Sequence, residues 1–231
     1  VHVYPEDKVM PRRELVKAVK WCDDLLCLLT DKIDKGLIDA NPKLKIIANY
    51  AVGYDNIDVA YATTKGIPVT NTPGALEHAV AEHAFALMMA VARRIPESDR
   101  FVRAGKYKRW EPMLLIGTEL QGKTMGIVGL GRIGAGVAQR AKAMMMNVLY
   151  YDVRRNEQFE KDVGARFVDL PSLLRDADFV SLHVPLLPST HHLIGKKELA
   201  MMKKTAYLIN TSRGPVIDET ALVQALRRKR I

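Results

Sequence analysis

A glycine-rich hexapeptide near the middle of the chain has the residue types and spacing of a phosphate-binding turn. Its glycines are Gly129, Gly131 and Gly134. In such a turn the first glycine permits a tight reversal, the second lets the backbone approach a pyrophosphate, and the third lets a helix pack closely on a strand. The N–H groups and partial positive charge at the start of that helix attract phosphate. The pattern therefore predicts dinucleotide binding.

The segments on either side of this turn supply the context that the motif needs. Lys123–Val128 is a short apolar run typical of a buried strand, Ala135–Met146 has apolar residues at helical spacing, and Asn147–Tyr151 predicts a second strand. Asp152 follows that strand, where a carboxylate can accept hydrogen bonds from the hydroxyls of the adenosine ribose. An ordinary glycine-rich loop does not account for Asp152, so the βαβ pattern favours a nucleotide-binding domain.

Three other predicted strands end in residues suited to ligand binding, because ligands of open α/β sheets bind beyond the carboxyl ends of the strands. The loop Asn49–Asp58 can present backbone N–H groups to a carboxylate, or it can be a plain turn that caps the following helix. The segment His183–Leu186 could line an adenosine pocket, with His183 itself expected to be structural. In Asn210–Pro215, the forked donors of Arg213 are suited to holding a carboxylate.

These segments need a scaffold of parallel strands, and the whole chain predicts one. Apolar strands alternate with helical stretches, as in a doubly wound α/β fold. The turn Asn71–Gly74 is the predicted hinge between residues 1–73, a smaller substrate domain, and residues 74–231, the nucleotide-binding domain. A wide apolar helix is predicted at Ala79–Arg94 and an irregular connection at Gly105–Gly122. The remaining predicted helices are Arg12–Lys20, Val59–Lys65, Ser172–Arg175, Lys196–Met202 and Glu219–Arg230, and the remaining strands are Leu25–Thr30, Leu44–Ala48, Ile67–Thr70, Ala165–Val168, Phe179–Val184 and Ala206–Asn210.

Composition and charge exclude several classes of protein. Of the 231 residues 48% are hydrophobic, which is ample for a packed core, and no apolar run is long enough to span a membrane. The net charge of +9 suggests nucleic-acid binding, but no nucleic-acid motif accompanies the basic clusters, and a basic surface equally suits anionic cofactors and carboxylates. Cys22 and Cys27 have the wrong spacing for a zinc site, so we expect no metal and two buried thiols in a reducing cytoplasm.

In this order, the motifs resemble those of the D-isomer-specific 2-hydroxyacid dehydrogenases, and most closely the glyoxylate and hydroxypyruvate reductase branch. The resemblance covers essentially the whole chain and rests on Asn49–Val59, Asn71–Gly74, Gly129–Gly134, His183–Leu186 and Asn210–Asp218. It implies a Rossmann-type domain beside a smaller flavodoxin-like substrate domain, and NAD(P)H-dependent reduction of a small 2-oxo acid to the 2-hydroxy acid. It also implies a homodimer formed through the nucleotide-binding domain, with Ala79–Arg94 and the following segment at the interface.

The resemblance further implies a role for each candidate residue. Val52 and Gly53 would hold the substrate carboxylate through their backbone, and Arg213 would be catalytic by gripping the carboxylate and the carbonyl. The cofactor would contact Gly129, Leu130, Gly131, Arg132, Ile133 and Gly134 at the pyrophosphate, Asp152, Val153 and Arg154 at the ribose, Val184, Pro185 and Thr190 at the adenosine, and Thr211, Ser212 and Arg213 at the nicotinamide end. In the family a histidine acid–base and a glutamate complete the catalytic set. Neither has a counterpart here, so we expect a fragment that lacks the first strand and the C-terminal part and is inactive alone.

Two questions stay open at this stage. Asp152 favours NAD(H), because a carboxylate there repels a 2′-phosphate, whereas Arg154 and Arg155 could attract that phosphate and so allow NADP(H). The alternatives to the reductase are a non-catalytic NAD-sensing protein of the corepressor kind and a phosphoglycerate or formate dehydrogenase of the same family.

Overall fold

The computed structural model describes all 231 residues, which form two compact units, Val1–Ala75 and Leu76–Ile231. Each unit has its own parallel sheet and its own hydrophobic core. The predicted α/β class is confirmed, since every pair of neighbouring strands is parallel and helices connect successive strands. The predicted boundary follows residue 73, and the two units of the structure divide after Ala75. The substrate-binding role of the first unit stays a prediction.

The first unit is a small three-stranded sheet with the strand order β1-β2-β3. The register of the first two strands places Cys27 beside Asn49 at their carboxyl ends. Asp34 and Asp58 cap the second and third helices by accepting hydrogen bonds from backbone N–H groups of the first turn. The elements are α1 (Arg12–Val19), β1 (Asp24–Cys27), α2 (Lys35–Ile38), β2 (Ile46–Asn49), α3 (Val59–Thr64) and β3 (Val69–Thr70).

The second unit is a five-stranded sheet with the strand order β6-β5-β4-β7-β8. The order of connection reverses between β4 and β7, which makes their carboxyl ends the switch point where open α/β sheets bind ligands. The elements are α4 (Glu77–Ala92), α5 (Ile95–Arg103), β4 (Thr124–Val128), α6 (Arg132–Ala143), β5 (Asn147–Tyr151), α7 (Glu157–Val163), β6 (Ala165–Phe167), α8 (Leu170–Asp176), β7 (Phe179–Leu182), α9 (Lys196–Met201), β8 (Tyr207–Asn210) and α10 (Glu219–Arg227).

Helices cover both faces of the five-stranded sheet, and β4 shows why. Met125 and Ile127 pack with α4 and α6 in one core, whereas Val128 packs with α8, α9 and α10 in the other. Between them, a Cβ at Gly126 would lie 2.6 Å from Leu173 Cδ2, so the glycine lets α8 approach the strand closely. The glycine turn that follows β4 is therefore anchored to a strand that is packed on both faces.

Several predicted boundaries were wrong. The central helix α6 begins at Arg132 rather than Ala135, because the last three residues of the hexapeptide already form its first turn. The short helices α2, α5 and α7 were not predicted, and most strands are shorter than the apolar runs that indicated them. Cys27 is a buried thiol as predicted, but Cys22 is only half-buried. None of the helices combines the length and the apolar composition that a membrane span requires.

Candidate active site

The glycine turn lies against the exit of β7 at the switch point. The N–H of His183 donates to the carbonyl oxygen of Val128 at 2.8 Å. Gly129 has a φ of 94°, and a Cβ there would lie 2.9 Å from the carbonyl carbon of His183 and from Val184 Cγ1. Both the backbone conformation and the close approach of the neighbouring segment therefore require glycine at this position.

The other two glycines of the turn have opposite surroundings. A Cβ at Gly134 would overlap the carbonyl oxygen of Gly129 and lie 3.1 Å from Ile127 Cγ2, whereas one at Gly131 would have no atom within 4 Å. Gly131 is the N-cap of α6, and the N–H groups of Arg132, Ile133 and Gly134 donate to no acceptor in the chain. An open approach to several free donors at a helix start fits a pyrophosphate.

Asp152 holds the end of β5 to this turn. Its Oδ2 accepts a hydrogen bond from the N–H of Leu130 at 2.6 Å, and its Oδ1 accepts one from the N–H of Arg154 at 3.2 Å. Because each carboxylate oxygen can accept more than one hydrogen bond, both remain able to bind a ribose hydroxyl. Val153 and Arg154 are exposed beside it, as residues that contact a cofactor must be before it binds. Their contacts with the ribose stay predictions.

The segment after β7 is organised by its own side chains. The hydroxyl of Thr190 donates to the carbonyl oxygen of Pro185 at 2.6 Å and accepts from the N–H of Leu187 at 2.8 Å. Thr190 therefore shapes the loop through its hydroxyl, and Val184 is half-buried at the loop's start. His183 Nε2 lies 2.8 Å from Ser181 Oγ, and burial lowers the pKa of His183 to about 4, so its imidazole is neutral at physiological pH.

Asn210, to which sequence analysis assigned no role, folds the segment that carries the candidate catalytic arginine. Its Oδ1 accepts hydrogen bonds from the N–H of Ser212 at 3.0 Å and from the Ser212 hydroxyl at 2.7 Å. Its Nδ2 donates to the carbonyl oxygen of Arg213 at 2.9 Å. The Arg213 guanidinium in turn donates through Nη1 to the carbonyl oxygen of Ser212 at 3.0 Å. These bonds fix the backbone from which Arg213 extends.

An open, mostly apolar cavity of about 440 Å³ lies between α4 and the end of β8. Thr211 lines it, and the Thr211 hydroxyl is buried with no hydrogen-bond partner. A buried polar atom without a partner beside a cavity is where the polar group of a ligand can bind, which fits the predicted nicotinamide end. Sequence analysis did not predict the contribution of α4 to this cavity. The other lining residues are Ala79, Val80, His83, Leu87 and Asn210.

In the first unit, two asparagines hold the loop predicted to bind the substrate carboxylate. Asn71 Nδ2 donates to the carbonyl oxygen of Val52 at 2.8 Å, and Asn49 Nδ2 donates to that of Gly53 at 2.7 Å. The N–H groups of Val52 and Gly53 donate to no acceptor in the chain. Two successive free amides with fixed carbonyls can bind a small anion. The loop also caps α3 through Asp58, so it fits both roles considered from sequence.

A comparison with family models decides the family. Residues 85–231 match the model described as "D-isomer specific 2-hydroxyacid dehydrogenase, NAD binding domain". The chain belongs to this family. The predicted Rossmann-type, NAD-binding character of the second unit of this dehydrogenase is thereby confirmed.

Individual relatives place this dehydrogenase near the predicted branch. The glyoxylate reductase of Korarchaeum cryptofilum is 55% identical over 224 residues, which cover 96% of this chain and 68% of the relative. That of Thermococcus litoralis is 52% identical over 231 residues, which cover 98% and 70%. Among solved structures, D-lactate dehydrogenase from Aquifex aeolicus, complexed with NAD and lactic acid, superposes with a TM-score of 0.88 at 36% identity and covers 94% of this chain and 64% of that one.

Proposed function

We propose that this dehydrogenase reduces glyoxylate, or a similarly small 2-oxo acid such as hydroxypyruvate, to the 2-hydroxy acid with NADH or NADPH. One observation carries the proposal: the carboxyl ends of a single parallel sheet hold both the glycine turn after β4 and Arg213 after β8. A dinucleotide site and a cation for an oxo acid therefore share one edge. Relatives about half identical in sequence and named glyoxylate reductases favour this activity over NAD sensing and over phosphoglycerate or formate oxidation.

The chemistry divides between the cofactor and the residues of the chain. The reduced nicotinamide, when bound, supplies the hydride. The backbone amides of Val52 and Gly53 bind the substrate carboxylate, and the Arg213 guanidinium neutralises it and polarises the carbonyl. Arg213 also stabilises the negative charge that develops on the carbonyl oxygen. The oxygen of the new alcohol also needs a proton, and we assign no residue between 1 and 231 as its donor. The inactivity of residues 1–231 alone stays a prediction.

We further propose a homodimer formed through the second unit. Helix α5 buries none of its residues, and apolar side chains remain exposed along α4, α5 and the connection that follows. Exposed apolar side chains on successive elements favour an interface with a second copy of the chain. The exposed apolar residues are Leu87, Val91, Ile95, Val102, Trp110, Met113 and Ile116.

We also propose a cytoplasmic location, which the two free cysteines favour.

The proposed activity is tested with the natural polypeptide, whose mass is first compared with the 25.9 kDa of this sequence. We expect oxidation of NADH or NADPH that depends on glyoxylate or hydroxypyruvate, measured by absorbance at saturating cofactor. Phosphohydroxypyruvate, and formate with NAD⁺, are the comparison substrates. Binding of NADH without turnover of any of these substrates would instead favour the NAD-sensing alternative.

Replacement of Asn71, which holds the Val52 carbonyl, should affect the binding of substrate and not the binding of cofactor. We expect Asn71→Leu to raise KM for the 2-oxo acid about fivefold, because one lost hydrogen bond of about 1 kcal/mol releases the amide that binds the carboxylate. The Kd for NADH should stay unchanged, since the glycine turn belongs to the other unit. Asn147→Leu is the matched control, because Asn147 Nδ2 also donates to a backbone carbonyl, that of Gly122, away from both sites. A normal KM in Asn71→Leu would contradict the role of Asn71.

A further inference from the structure

The two arginines that follow Asp152 differ in their partners. Arg155 Nε lies 2.8 Å from Glu160 Oε1, and Arg155 Nη2 lies 2.9 Å from Glu160 Oε2. This is the bidentate geometry in which a guanidinium binds a carboxylate most strongly. Arg154 extends into solvent without a side-chain hydrogen bond or ion pair. Of the two arginines, Arg155 is therefore already paired with a carboxylate, whereas the Arg154 guanidinium is available to bind a ligand.

Further contacts hold the Arg155–Glu160 ion pair in place. Tyr150 is the penultimate residue of β5, and its hydroxyl donates to Glu160 Oε1 at 2.8 Å and accepts from the N–H of Asn156 at 2.8 Å. Glu160 is consequently well packed, with 15% of its side chain exposed, while Arg155 keeps 55% exposed. A second carboxylate, Glu157, lies 3.9 Å from Arg155 Nη1. The positive charge of Arg155 is thus offset on two sides.

The position of this cluster matters for the choice of cofactor. In dinucleotide-binding folds the residues just after the second strand face the adenosine ribose, where NADP(H) has a 2′-phosphate and NAD(H) has a hydroxyl. An unpaired arginine there attracts the phosphate, but an arginine that is neutralised by a carboxylate does not add net charge. Because Glu160 binds the Arg155 guanidinium through both carboxylate oxygens, the segment does not offer the two free cations that its sequence suggests.

We propose that Glu160 is a specificity-determining residue, which favours NAD(H) over NADP(H) by pairing with Arg155 and so withholding that cation from the 2′-phosphate. This inference deepens the proposed function and rests on it. Glu160 acts through Arg155 and on the ribose end of the cofactor, away from the reacting atoms. Its effect should therefore appear in the relative affinity for the two cofactors.

The test is the ratio of Kd for NADPH to Kd for NADH, measured by fluorescence titration without substrate. Glu160→Gln retains an acceptor for Tyr150 and Arg155 but removes the charge, and we expect it to lower the ratio about tenfold, the effect of one screened unit charge at close range. Arg155→Gln should raise the ratio, and the double variant should return it close to that of the wild type. Asp162→Asn is the matched control, because it makes the same charge change on α7. The Asp162 carboxylate accepts a hydrogen bond from Gln158 and not from an arginine, so this variant should leave the ratio within about twofold of the wild type.

The outcomes separate this inference from the function on which it rests. Opposite shifts in the two single variants, with recovery in the double variant, support the role of Glu160. An unchanged ratio in Glu160→Gln, or an equal shift in Asp162→Asn, overturns it while leaving the dehydrogenase assignment intact. If the wild-type protein binds neither NADH nor NADPH, the proposed function itself fails. Should Glu160→Gln not fold, an unchanged ratio in Arg155→Gln alone overturns the inference.

Discussion

Replacement of Arg213 by alanine is expected to lower kcat/KM for glyoxylate by about 10⁴-fold in the active enzyme. Loss of one preorganised donor to a developing oxyanion costs about 10²–10³-fold, and loss of the charge-assisted bond to the carboxylate adds to it. The segment around Arg213 is held by Asn210, so the substitution should remove the guanidinium without displacing the backbone. Steady-state rates against glyoxylate at saturating NADH give the value.

Arg213→Lys is the matched control for this prediction. Lysine keeps the positive charge but loses the planar fork that binds a carboxylate through two parallel bonds. We therefore expect an intermediate rate, well below wild type and above Arg213→Ala. Near-normal glyoxylate reduction by Arg213→Ala would remove Arg213 from the catalytic site.

The second large effect separates two glycines of the same turn. In Gly134→Ala the new methyl group would overlap the carbonyl oxygen of Gly129, so the turn or α6 must move. We expect a loss of about 3 kcal/mol in the free energy of unfolding, a fall in Tm of about 6–12 °C, and loss of NADH binding. Thermal melts and NADH titrations on the same samples measure both quantities.

Gly131→Ala should change only one of these quantities. Its methyl group meets no atom of the protein, so Tm should stay within about 2 °C of wild type, but the group occupies the side from which the pyrophosphate approaches. We expect Kd for NADH to rise at least about tenfold. Equal destabilisation by both substitutions, or normal NADH binding in Gly134→Ala, would show that the turn does not work as described.

Local pattern was sufficient to predict much of the second unit. The strand Asn147–Tyr151 was predicted with its observed bounds, because its apolar run is limited by a polar residue at each end. The start of α6 was misplaced because Arg132, Ile133 and Gly134 were assigned only to the turn, although the free N–H groups that bind phosphate belong to the first turn of the helix. A motif and an element can share residues, and pattern alone does not show where one becomes the other.

Contacts that depend on the folded chain could not be predicted in this way. The hydrogen bond from Asn71 to Val52 joins two loops that are brought together only by the parallel sheet of the first unit. The pairing of Arg155 with Glu160 requires α7, a short polar helix whose sequence has no strong apolar period and which was not predicted. Sequence analysis therefore identified the candidate residues around Asp152 but not which of their charges are already neutralised.

The buried position of Cys27 makes this thiol a reporter of the first unit alone. Its side chain is 1% exposed beneath the loop held by Asn49, and burial raises the pKa of the Cys27 thiol to about 11, so it reacts with alkylating reagents only when the surrounding structure opens. Both cysteines of the chain lie in Val1–Ala75, and Leu76–Ile231 has none. The rate of Cys27 modification in the native protein consequently measures the opening of the first unit alone, and its dependence on NADH would show how strongly cofactor binding in one unit stabilises the other.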